Sequence, residues 1–145
     1  MAEKQMYPKE FLRGIANKDF IDNGHVLPAA FQFDDTGRDD GNREASINWL
    51  DDDGAITLAL NQRKKENGKL QFAGGVARID LDYAKMILHN FSQVGFSYER
   101  APLENNKYHG NLLLDNSLSK QTRQMLMTGL ALAAGTNIIP QTNAI

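Results

Sequence analysis

One histidine sits where a proton could be moved. The segment Glu104-Asn105-Asn106-Lys107-Tyr108-His109-Gly110 gathers ionisable and amide side chains in a turn-prone stretch beyond an expected strand. A histidine there could act as general acid or base, with Tyr108 or Glu104 orienting its ring. A turn whose polar groups bond the local backbone is the commoner arrangement. His25 follows the turn signal Asn23-Gly24, and His89 stands beside Leu88 on a helix as a surface or boundary residue.

Three arginines form the second candidate set. Arg13, Arg78 and Arg100 stand in or beside apolar segments, where a guanidinium needs a carboxylate or phosphate partner. Facing one cleft, they would hold a phosphate; more often such side chains reach outward to water. Glu44, Ser46 and Asn48 alternate with Ala45, Ile47 and Trp49, so they share one face of a strand. If that face lines a cleft, they are ligand-binding candidates.

Other chemistries find less footing. The loop 34–44 carries five carboxylates (Asp34, Asp35, Asp39, Asp40, Glu44), but the EF-hand order fails, and Arg38 and Arg43 partly neutralise it. Gly74-Gly75 lies inside a strand pattern, which points to a close backbone contact; no Walker or Gly-x-Gly-x-x-Gly pattern is present. There is no Gly-x-Ser-x-Gly elbow. With no cysteine, disulfides, thiolate zinc sites and cysteine nucleophiles are excluded. No metal and no cofactor are expected.

The positioning elements follow from periodicity. Leu70, Phe72, Val76 and Ile79 suggest a strand interrupted by the glycines, after which Asp80 can cap a helix with Tyr83, Ile87 and Phe91 along its stripe, widened by Ala84 and Leu88 and stopped by Gly95. A strand from Phe96 to Arg100 completes this central unit. Upstream, Pro8 with Phe11, Leu12 and Ile15 fits a short helix, or else an extended segment paired with the sheet. Asp34 to Arg43 is a polar, solvated loop, and Glu44 to Leu50 is the clearest strand. Helices are expected at about 52–66, 81–94 and 118–134, the last capped by Ser117 or Ser119 and apolar in its second half, with a short strand at 111–114. Residues 1–6 and 136–145 read as loose ends.

A chain of 145 residues is one domain by size and can bury about 70% of its unfolded surface. The fold expected is a single α+β domain: a small mixed or antiparallel sheet of four or five strands with three helices covering one face. Sixteen basic against eighteen acidic residues, with no long basic run, argue against duplex nucleic acid, leaving only a local patch of Arg63, Lys64, Lys65 and Lys69. No leader pattern opens the chain, and the longest apolar stretch is half a membrane span, so a soluble, cytoplasmic protein is expected.

Two functions compete. One is an accessory protein acting through a protein partner or self-association, using the apolar C-terminal helix with Met125, Met127 and Leu130. The other is a small enzyme or ligand-binding domain for a phosphorylated or nucleotide-like compound, with His109 as acid or base and the arginines holding the anion.

Overall fold

A computed structural model describes residues 6–92 and 96–141, with the side chains at positions 91 and 92 left aside; the expected Gly95 stop and the Phe91 side chain lie outside the described residues. The chain is α+β, as its patterning implies. Among the described residues eight strands run in order as β1 (Glu10–Gly14), β2 (Ile21–Asp22), β3 (His25–Val26), β4 (Asn42–Trp49), β5 (Val76–Asp80), β6 (Ser97–Arg100), β7 (His109–Asp115) and β8 (Ile138–Ile139). Between them, among the same described residues, lie the helices α1 (Gly54–Asn61), α2 (Leu81–Ser92) and α3 (Lys120–Ala134). Six strands form one antiparallel sheet in the order β6-β7-β4-β1-β5-β8, and β2-β3 is a separate hairpin.

Period-2 alternation divides the sheet into two faces. Phe11, Ala45, Ile47, Trp49, Ala77, Ile79, Leu112 and Leu114 point into the main core, which α2 and α3 close with Leu81, Ala84, Leu88, Leu126, Leu130 and Ala134. On the opposite face Leu12 and Val76 meet Ala55, Ala59 and Leu60 of α1, with Tyr108 at the edge. Thus α1 covers the other face from α2 and α3, contrary to the expectation of all three on one side. Its buried side chains are small, so it can approach a strip of sheet that offers only Leu12 and Val76.

Other boundaries moved for local reasons. Pro8 begins no helix, because Phe11 and Leu12 are both buried, on opposite faces of β1; the extended alternative is the observed one. The helix expected to reach 66 ends at Asn61, since Gln62 is extended and Arg63 bridges Leu70 across a turn made by Asn67 and Gly68. Residues 70–75 are no strand: Gly74 packs on Ile15, and a Cβ at Gly75 (φ 87°) would meet the Ile139 carbonyl. The glycines therefore make the close backbone contact expected of them. Asp80 caps α2 by accepting from Tyr83 N–H at 2.9 Å, although Tyr83 itself is exposed and Leu81 takes the inward place. Ser119 caps α3, accepting from Thr122 N–H at 3.1 Å. The tail is tied as far as it is described: β8 joins the sheet, and Gln141 Nε2 donates to the carbonyls of Leu60 and Phe72, both at 2.9 Å.

Candidate functional site

β1 and β4 pair only at Phe11↔Trp49 and Leu12↔Asn48, after which β1 continues with β5 alone. Arg13 fills the split. Its Nε donates to the Ala30 carbonyl at 2.8 Å and its Nη1 to the Ser46 carbonyl at 2.6 Å, supplying backbone partners where the ladder stops. Its side chain lies on the α2–α3 face, opposite Ala77; no ion pair involves it among the described residues, and burial, partly offset by the Asp34 carboxylate, pushes the guanidinium down to about 10, still a cation at neutral pH.

Beside this split lies a cleft of about 1040 Å3 on the α1 side of the sheet. Its floor is β1, β4 and the start of β7; its walls are α1, the 62–72 segment and the turn at 103–106. Five of the candidates line it: Arg13, Ser46, Asn48, Glu104 and His109. Sequence reasoning does not single out Asn106 as an organiser or Arg63 and Lys65 as rim residues of a cleft.

Hydrogen bonds fix the floor. Asn48 and His109 are register partners on β4 and β7. Asn106, buried, donates from Nδ2 to Asn48 Oδ1 at 2.8 Å and accepts from the Tyr108 backbone N–H at 3.1 Å. His109 Nδ1 lies 2.8 Å from the Ala101 carbonyl, so that carbonyl orients the imidazole, and neither Tyr108 nor Glu104 does.

The remaining candidates stand elsewhere. Tyr108 is buried and donates its hydroxyl to Asp52 Oδ1 at 2.6 Å, joining the 101–108 segment to the start of α1; this bond raises the phenol and lowers the Asp52 carboxyl relative to their ordinary values. Arg78 is paired bidentately with Glu10 at 2.7 and 3.0 Å. Arg100 is held by Asp51 at 2.8 and 3.0 Å and by the Met6 carbonyl, over the rings of Tyr7 and Trp49. The three arginines do not face one cleft. Glu44 is taken by Arg38 at 2.8 Å, so the loop folds back on the sheet through its own cation. Among the described residues no group of three or more histidine, aspartate or glutamate side chains is placed to hold a metal ion.

The apolar half of α3 turns inward, with Leu126, Leu130, Ala131, Ala133 and Ala134 buried, leaving Met125 and Leu132 outside. No helix is long and apolar enough to cross a membrane among the described residues. No protein-family model matches the chain, and no curated protein or solved structure is found to be similar to it.

Proposed function

We propose that the protein is a ligand-binding domain for a phosphorylated or nucleotide-like compound, held in the cleft between β4, α1 and the 103–106 turn. The observation that carries this reading is convergence: Ser46, Asn48, Glu104 and His109, drawn from two strands and a turn, meet in one concavity of about 1040 Å3. Arg63 and Lys65 against Glu104 make the lining net cationic, which suits an anion. Arg63 and Lys65 are exposed and line the cleft, and no ion pair involves either among the described residues, so a phosphate can use them. His109 has one ring nitrogen anchored and serves as acid, base or hydrogen-bonding group toward whatever occupies the cleft.

The accessory-protein reading rests on what remains outside the α2–α3 pair, namely Tyr83, Met86, Met125 and Leu132. It explains nothing about the cleft, and we place it second. Thermal-shift screening with inorganic phosphate, sugar phosphates and mononucleotides tests the first reading. It expects stabilisation by at least one phosphorylated compound, lost in His109→Ala with the fold intact; no response across the panel, or an unchanged response in His109→Ala, contradicts it.

A further inference from the structure

The orientation of the Asn48 carboxamide follows from a chain of obligatory donors. A backbone N–H can only donate, so Tyr108 N–H obliges Asn106 to present its Oδ1. The Asn106 Nδ2 must then be the donor in the 2.8 Å bond to Asn48, which turns Asn48 Oδ1 toward Asn106 and leaves Asn48 Nδ2 over. That nitrogen has no partner among the described residues. The buried side-chain atoms lacking one are Asn111 Oδ1 and Gln141 Oε1, so Asn48 Nδ2 keeps contact with solvent, which at this position is the cleft.

His109 obeys the same logic with the opposite sign. The Ala101 carbonyl can only accept, so the neutral imidazole carries its proton on Nδ1 and Nε2 offers a bare lone pair with no partner among the described residues. Asn48 and His109 stand opposite one another in the β4–β7 register, and cross-strand partners point to the same face. The floor of the cleft therefore presents a donor beside an acceptor, each held by a buried or backbone partner.

A phosphate offers acceptors alone, and a sugar hydroxyl rotates. A planar heterocycle carries an acceptor and a donor side by side in fixed geometry, as the ring nitrogen and amino group of adenine or cytosine do. Leu58, Phe72 and Leu103 line the same cleft and offer apolar surface to the faces of such a ring. Resting on the reading of the cleft as a site for a phosphorylated compound, we propose that its ligand is a nucleotide whose base edge is read by Asn48 and His109 and whose phosphate is taken by Arg63 and Lys65 at the rim.

Calorimetric titration of the full chain with AMP, GMP, CMP and UMP, and with ribose 5-phosphate as the base-free probe, tests this. At least one mononucleotide should bind roughly 10-fold or more tightly than ribose 5-phosphate. Asn48→Asp keeps an oxygen for Asn106 but puts an acceptor where the donor stood, and His109→Phe keeps a ring without the lone pair. Each should weaken the preferred mononucleotide by about 10-fold to 100-fold while moving ribose 5-phosphate by much less. If Asn48→Asp does not fold, His109→Phe and the base preference of the unaltered chain carry the comparison. Equal binding of ribose 5-phosphate and every mononucleotide, or a base preference untouched by the folded variants, overturns the base-reading proposal and leaves the cleft as a phosphate-compound site. Binding of no phosphorylated probe overturns both.

Discussion

Arg38 and Glu99, 61 residues apart, form a two-pronged ion pair, with Nη1 to Oε2 at 2.8 Å and Nη2 to Oε1 at 2.9 Å. The same guanidinium reaches Asp40 and Glu44, so one cation closes the 34–41 loop over β4 and β6. Arg38→Met should lower stability by about 1 kcal/mol, read as a shifted urea midpoint, since the network is partly solvated. The bond from Arg38, then that from Asn111, holds the Glu99 carboxyl below its ordinary 4.5. A carboxyl lowered in the folded state stabilises above its unfolded value and loses that contribution as pH falls through the folded one. The unaltered chain should therefore lose more stability than Arg38→Met as pH drops below about 4.5. Parallel pH profiles would remove the latch from the account.

Tyr108 works through position. Its hydroxyl is the first cause of the lowered Asp52 carboxyl, ahead of the Gly54 N–H. In Tyr108→Phe the Asp52 titration, followed by carbon NMR, should move up toward the ordinary aspartate range. Because the bond joins the two walls of the cleft, ligand affinity should fall in this variant although Tyr108 does not line the cleft. An unmoved Asp52 titration would count against the bond.

Gly110 has no room for a side chain. A Cβ there would strike the Trp49 indole and lie 2.5 Å from the Glu99 carbonyl, which accepts the indole N–H at 3.1 Å. Gly110→Ala should cost about 1–3 kcal/mol and alter Trp49 fluorescence. A variant as stable as the parent, with the same emission, would mean that β6 and β7 yield more easily than their packing indicates.

Leu132, 56% exposed on α3, separates the two functional readings. Leu132→Glu should change stability by no more than about 0.5 kcal/mol and leave the solution mass and ligand binding unaltered. A fall in mass by light scattering would instead favour self-association through this helix.

Much of this fold is legible because local patterns agree with it. The alternation from Glu44 to Trp49 gives β4 its two faces, Asp80 and Ser119 are capping residues in the right places, and Asn23-Gly24, both at positive φ, turn the β2–β3 hairpin. What misled was any stripe that two geometries share. Phe11, Leu12 and Ile15 suit a helix face as well as a strand buried on both sides, and Ile56, Ala59 and Leu60 do not say where α1 must stop. The site was half legible. Residue type picked out His109 and the Glu44-Ser46-Asn48 face, but pairing Asn48 with His109 depends on a register between residues 61 positions apart, which no local pattern encodes. Arg13, Arg78 and Arg100 looked alike in sequence; only the placement of Glu10 and Asp51 shows that the last two are spoken for.

The most direct test watches the floor of the cleft itself. Heteronuclear NMR during titration with the preferred mononucleotide should shift the Asn48 side-chain amide and the His109 imidazole together, at a common midpoint, while Tyr83 and Met86 on the outer face of α2 stay still. Saturable binding that leaves Asn48 and His109 unmoved would contradict the account.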